Sequence, residues 1–241
     1  MAPTPRRPRI YFSFRSPYSW LAFHDLTTHH PQVVESLEWR PFWEPDAPSE
    51  HLLAEAGGRF PYTPMSREKH LYMLGDVRRL AARRGLTVTW PQDVDPWWEA
   101  SHLAYLVAAA EGRGLAFAER VYRARWQEGL DISDRATIGR LAADVGVSAD
   151  AAEHAADDDG IRAEGTRALL DIHRDDVFGV PFFIHRRQKF WGVDRLTDFL
   201  TALGEPTGQP RPGAPAESAP PVAAAAFGAH SSDHGHAGGC G

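Results

Sequence analysis

A strand-like run, Arg9–Phe14 (RIYFSF), passes into Arg15-Ser16-Pro17, and the last two residues are what a helix start requires. Ser16 is a favoured N-cap, whose side-chain oxygen accepts from a first-turn amide, and Pro17 suits the first helical position, where a missing N–H costs nothing. An arginine and a hydroxyl therefore stand at a junction of strand and helix. The sequence has one cysteine, Cys240, so no intramolecular disulfide and no CxxC redox pair can form. Thiol chemistry would have to borrow its sulfur. His230, His234 and His236 form HxxxHxH ahead of Cys240, donors that suit zinc, copper or nickel. They lie in a polar tail that would lose entropy on closing around an ion, so an inert tail is the first reading and a metal site the weaker one.

The elements that must position Ser16 follow from periodicity. After the strand over 9–14, an amphipathic run extends to about His30, and Ser36–Phe42 (SLEWRPF) reads as a second strand, completing a βαβ unit. Over Ser66–Gly85, apolar residues at Leu71, Leu74, Val77, Leu80 and Ala81 have helical spacing closed by a glycine. Pro96–Gly112, Gly114–Gly129, Asp134–Gly146, Ser148–Asp158 and Gly160–Asp175 read as further helices. Phe178–His185 (FGVPFFIH) reads as a strand containing Pro181, Lys189–Trp191 as its partner and Asp194–Leu203 as a closing helix. This order predicts an α/β domain over residues 9–203. Its core segments, 9–43 and 176–203, pack together, and residues 60–175 form a helical insertion. Residues 204–241, rich in Pro, Ala, Gly and His, read as a disordered tail.

With 26 Lys and Arg against 32 Asp and Glu, the formal net charge is −6, which argues against an electrostatic binder of nucleic acid or anionic membrane. No stretch approaches the roughly 20 apolar residues that span a bilayer, and Arg9 leads into a strand without a signal-peptide apolar region. A cytoplasmic protein is expected. The eight tryptophans exceed ordinary usage. Trp43, Trp90, Trp97 and Trp98 read first as core or interface aromatics.

The segment Tyr11–Trp20 (YFSFRSPYSW) resembles the DsbA-type active-site turn, in which a strand ends in a Cys-Pro-x-Cys that starts a helix; Ser16 and Ser19 stand where the cysteines would be. Val177–Pro181 (VFGVP) resembles the cis-proline loop that faces that turn in thioredoxin folds, and Phe190–Leu196 (FWGVDRL) follows it. With Lys69, Tyr72, Asp76, Arg79 and Gly85 of the first inserted helix, these blocks resemble the 2-hydroxychromene-2-carboxylate isomerases and kappa-class glutathione transferases over residues 9–203. The resemblance implies a thioredoxin-like fold of DsbA type with a large all-helical insertion. It implies a cis–trans isomerase acting on a small conjugated substrate, free or carried on a protein, and it suggests a homodimer. Carried over residue by residue, Ser16 activates the sulfur of bound glutathione, Val180 ahead of Pro181 pairs with the peptide backbone, Asp194 holds the γ-glutamyl group, and Lys69 belongs to the same binding set. Two departures leave the thiol's identity open: the family's asparagine before the first inserted helix has no counterpart in Gly57–Tyr62, and Val193 offers no side-chain donor.

The physical reading runs the same way. A helix N-terminus presents unsatisfied N–H groups and a partial positive charge, so a thiol placed there has its pKa lowered from about 8.5. Ser16 can donate to the thiolate, and Arg15 can add a positive field or bind a substrate carboxylate. Phe182 and Phe183 beside the loop favour a flat unsaturated ligand. A conjugating transferase would use the same parts and consume its thiol. A non-catalytic thioredoxin-like module or a thiol-independent isomerase would use the fold or the cleft alone. Each residue also has a plainer structural role: Ser16 as cap, Pro181 as turn former, Asp194 as cap of the last helix, Lys69 and Arg79 as a solvated helix face.

Overall fold

In the computed structural model, which describes residues 7–61 and 64–205, the chain enters on β1 (Arg9–Phe12) and turns through Ser13–Arg15 into α1 (Pro17–His29). Every residue of β1 is buried, since the strand lies inside the sheet with helices packed over it. Such a strand reads as continuously apolar, so alternation does not mark its end. It stops at Phe12, two residues earlier than expected. α2 (Pro31–Ser36) then leads to β2 (Glu38–Pro41), which runs parallel to β1 with Ile10 opposite Trp39.

The helices that follow begin sooner than residue 60. α3 (Ala47–Glu55) is capped by Asp46, whose carboxylate accepts the Ser49 N–H at 2.9 Å. α4 (Arg67–Ala82), α5 (Glu99–Ala110), α6 (Gly114–Trp126), α7 (Arg135–Ala143), α8 (Ala149–Glu153) and α9 (Asp159–Arg174) complete the helical layer. The chain returns through β3 (Phe182–His185) and β4 (Gln188–Trp191), then a 3₁₀ turn (Val193–Arg195) and α10 (Leu196–Leu203). The sheet order is β2-β1-β3-β4, parallel between β1 and β2 and antiparallel elsewhere. This is the thioredoxin-like core with a helical insertion that the sequence predicts. β3 begins only at Phe182, because Val177–Pro181 is a loop with a cis Val180–Pro181 peptide.

One apolar cluster joins Tyr11, Phe12 and Phe14 to Leu103, Tyr105 and Phe117 of the insertion, and a second gathers Ile10, Leu26, Phe183 and Phe199 under α1 and α10. Polar ties lock the two parts together. Arg9 makes a two-pronged bond to Asp175 at 2.6 and 2.7 Å, Tyr11 donates to the same carboxylate at 2.6 Å, and Arg40 reaches Asp171 at 2.7 Å, so β1 and β2 are bound to the end of α9. Arg84 grips Asp25 in the same manner, at 2.7 and 2.6 Å, tying α4 to α1.

Among the described residues no helix is long and apolar enough to cross a membrane, and no cluster of His, Cys, Asp and Glu is placed to hold a metal ion. The tail and its His230, His234, His236 and Cys240 lie outside the described residues.

Candidate active site

Ser16 caps α1 as its residue type demands: its oxygen accepts the Ser19 N–H at 3.2 Å. The same hydroxyl donates to the Val180 carbonyl at 3.3 Å, which joins two blocks separated by more than half the chain. Ser16 and Val180 are both buried, so the hydroxyl and the carbonyl expected to face a ligand are here turned to each other. Pro181 follows, buried, and its carbonyl accepts the Gly192 N–H at 2.9 Å.

The turn ahead of Ser16 has left the sheet, so its backbone groups need other partners. Side chains supply them. The Ser13 N–H goes to Ser19 Oγ at 3.3 Å, the Phe14 N–H to His102 Nε2 at 3.2 Å and the Arg15 N–H to Ser13 Oγ at 3.3 Å. Tyr122 donates to the Ser13 carbonyl at 3.3 Å and Trp126 Nε1 to the Phe14 carbonyl at 3.0 Å. His102, Tyr122 and Trp126 come from α5 and α6 and were not singled out in the sequence. Their signal was polar atoms on otherwise apolar helix faces, which need buried partners.

Arg15 pairs with Glu44 at 3.1 Å and lies 5.1 Å over the buried Trp98 ring, which Arg125 also stacks on at 5.0 Å. Arg125 is itself buried and held by Asp93 at 2.9 and 2.8 Å.

Between α4 and the Gly192–Asp194 turn lies a cleft of about 360 Å³. Lys69, Tyr72 and Asp76 of α4, with Tyr18 of α1, face Val193 and Asp194 across it. The structure thus brings Lys69 and Asp194 to one cavity, whereas Ser16, Arg15, Val180 and Pro181 do not line it and are linked to its wall through Tyr18, two residues on from Ser16, and the Pro181–Gly192 bond. Tyr18 donates to Asp76 at 2.9 Å, and Arg79 bonds the same carboxylate at 3.0 Å while lying over Tyr72. Gly192 has φ +99°, and a Cβ there would stand 2.6 Å from Asp194 Oδ1, so the turn that presents Asp194 needs glycine. Asp194 does not cap the last helix: it sits within the 3₁₀ turn, exposed and paired with Arg195 at 3.1 Å, and the N-cap position of α10 is Arg195, which makes no side-chain cap bond.

The aromatic expectations divide. Trp43 and Trp98 are buried in the core, and Trp90 and Trp97 are half-buried. Phe182 and Phe183 form no ligand wall: β3 pairs on both edges and they fill the core on its two faces. Among the described residues the exposed Phe, Tyr and Trp side chains are Tyr72 on the cleft, Trp191 next to Gly192, and Phe178, whose ring meets Trp191 edge-on at 4.9 Å. Gly179 permits that packing, since a Cβ there would lie 2.8 Å from Trp191 Nε1.

Two buried titratable groups stand behind the turn. Burial, with the positive charges of Arg125 and Arg15, pushes His102 down to about 3, so its ring is neutral. Burial beside the Asp46 carboxylate pushes Glu99 up to about 7, even though the Asp46 N–H donates to it.

A sequence profile of the DSBA-like thioredoxin domain matches residues 9–204. A 2-hydroxychromene-2-carboxylate isomerase of Sphingobium xenophagum is 32% identical over 196 residues, which are 79% of this chain and 94% of that protein. A protein of the same name from Pseudomonas putida is 24% identical over 204 residues, 81% of this chain and 93% of the other. Among solved structures, a 2-hydroxychromene-2-carboxylate isomerase superposes with a TM-score of 0.65 at 22% identity, covering 82% of this chain and 94% of its own, a likeness of fold.

Proposed function

The chain belongs to the DsbA-like thioredoxin-domain family and groups within it with the 2-hydroxychromene-2-carboxylate isomerases, and from that premise we propose that it is an isomerase using a low-molecular-weight thiol to interconvert cis and trans forms of a small conjugated substrate. The observation that carries the thiol reading is the path from cleft to helix start: Lys69 and Asp194 share one cavity, Gly192 in its wall bonds Pro181, and Val180 ahead of it bonds Ser16.

The donor set fits such a thiol. About 360 Å³ lies at the small end of ligand pockets, roughly 300–1,000 Å³. An ammonium and a carboxylate in one cavity match a zwitterionic, amino-acid-like ligand, with Asp194 toward its ammonium and Lys69 toward a carboxylate. Glutathione is the first candidate; since Val193 has no polar side chain for an α-carboxylate, a related cellular thiol serves equally. A thiol bound there supplies reversible nucleophilic addition to a conjugated double bond, which leaves a freely rotating single bond until the thiol departs unconsumed.

The chain's own residues have separate tasks. The first turn of α1 lends positive potential that favours a thiolate over a thiol. The Ser16 hydroxyl is a rotor whose 3.3 Å bond to Val180 is long, and turning its hydrogen away from that carbonyl directs it toward a sulfur at the helix start. Arg15, which pairs with Glu44 and lies over Trp98, is the cation beside Ser16 that would meet a substrate carboxylate. Tyr72, Trp191 and Phe178 offer aromatic surface beside the cleft on which a flat unsaturated molecule can stack. A thiol cofactor suits the cytoplasm, where thiols are kept reduced.

The test follows the absorbance of 2-hydroxychromene-2-carboxylate with wild-type protein and Ser16→Ala, with and without glutathione. Turnover that requires glutathione, leaves its concentration unchanged and falls in Ser16→Ala supports the reading. Stoichiometric loss of glutathione would make the protein a conjugating transferase, and equal turnover without it would remove the thiol.

A further inference from the structure

We infer that His102 is the positioning residue of this site, setting the turn that carries Arg15 and Ser16, an assignment that rests on the functional reading above. His102 lies on α5, wholly buried. Its Nε2 receives the Phe14 N–H at 3.2 Å and stands 3.2 Å from Ser13 Oγ. A backbone amide can only donate, so Nε2 is the acceptor and the ring proton sits on Nδ1, 2.8 Å from the Trp98 carbonyl. Ser101 Oγ lies 3.2 Å from Nδ1 as well. The ring is fixed on its face by Trp43, stacked at 5.6 Å, and contacts the Phe14 ring at 5.1 Å.

The two groups that His102 holds belong to the start of the turn. Ser13, so anchored, accepts the Arg15 N–H on its hydroxyl and the Ser16 N–H on its carbonyl at 3.1 Å. A change at His102 is therefore relayed through Ser13 to both residues at the reaction. Removing the imidazole leaves the buried Phe14 N–H without an acceptor, and the turn must tilt to satisfy it. The imidazole stays neutral across the working range, so it moves no proton and acts only by holding these atoms.

His102→Gln places an amide oxygen where Nε2 stands, whereas His102→Ala supplies no acceptor; both are compared with wild type in the isomerase assay with glutathione and in backbone amide exchange. A misplacement of about 1 Å can cost roughly 100-fold in rate, so His102→Ala is expected to lose kcat on that order, with KM for glutathione held within about twofold. Gln should recover most of the loss with the pH–rate profile unshifted. Exchange should quicken at Phe14–Ser16 in the Ala variant and not through α6. Wild-type kcat in His102→Ala, a Gln variant no better than Ala, or exchange raised uniformly through the core would each overturn the assignment. If the wild type itself shows no turnover, the functional reading fails, and the exchange pattern alone decides whether His102 sets the turn.

Discussion

The Ser16 hydroxyl and the Val180 carbonyl are joined at 3.3 Å, so the cap of α1 is also a cross-link to the loop ahead of β3. The cap, the cross-link and the proposed chemical role thus rest on one oxygen, and substitutions must separate them. Ser16→Ala removes cap and cross-link and should lower stability by about 0.5–2 kcal/mol; Ser16→Gly, a better cap than Ala, should cost only a few tenths for the cap itself. Both should lose isomerase activity by at least tenfold, to the same extent. Urea unfolding beside initial rates checks this: activity that follows stability, with Gly more active than Ala, would reduce Ser16 to a cap.

Lys69 and Asp194 face one cavity from elements about 125 positions apart, and each is expected to meet the opposite charge of a zwitterionic thiol. A hydrogen bond to a charged group contributes about 1.5–3 kcal/mol, so Lys69→Met and Asp194→Asn should each weaken glutathione binding by roughly tenfold or more. Isothermal titration calorimetry measures it directly. Unchanged affinity in both variants would move the thiol out of this cleft.

Local chemistry made part of this site legible and tertiary placement hid the rest. Ser16-Pro17 is readable because capping depends on neighbours in sequence. The meeting of that turn with Val180-Pro181 came only from the resemblance of both blocks to thioredoxin-fold motifs. α2 and α3 are short, six and nine residues, and bury only two side chains each, so little apolar periodicity marks them in the sequence. Phe182 and Phe183 fill the core and not a ligand site, a difference the sequence hides because an apolar pair beside a loop looks the same whether it lines a cavity or fills both faces of an inner strand. His102 does carry a signal in the sequence. In Glu99–Ala110 (EASHLAYLVAAA), a charged and an imidazole side chain lie in an otherwise largely apolar helix, and such residues are buried only with partners.

The Arg9–Asp175 pair should govern acid stability. Burial acts to raise the Asp175 carboxyl, but hydrogen bonds from Arg9 and Tyr11, with the charges of Arg9 and Arg40, outweigh it and hold the group below the usual carboxylate range. Because the native value lies below the unfolded one, near 3.9, the stabilisation is complete above that value and is lost as pH falls through the native one. Asp175→Asn leaves Arg9 buried without its counter-ion, which should cost about 3–5 kcal/mol at pH 7. Unfolding free energies measured from pH 7 to 2 should show the gap between wild type and variant closing below about pH 4. A gap independent of pH would mean that packing, not charge, was lost.

Glu99 should act in the opposite sense and in a separate window. Burial first, then the neighbouring Asp46 carboxylate, raise it to about 7, although the Asp46 N–H and the Trp43 indole N–H both donate to it. An unfolded glutamate titrates near 4.3, so between the two values the native state keeps a proton that the unfolded state has released. Stability from this group is greatest at the acid end of that interval and falls as pH rises through it, by about 4 kcal/mol at most. Glu99→Gln keeps the neutral form's donor and acceptor without titrating. Wild-type protein should lose stability from pH 5 to pH 8 while Glu99→Gln stays level, so that the variant becomes the more stable of the two at pH 8. Thermal unfolding at closely spaced pH values decides the matter, and parallel curves for the two proteins would show that Glu99 remains ionised in the fold.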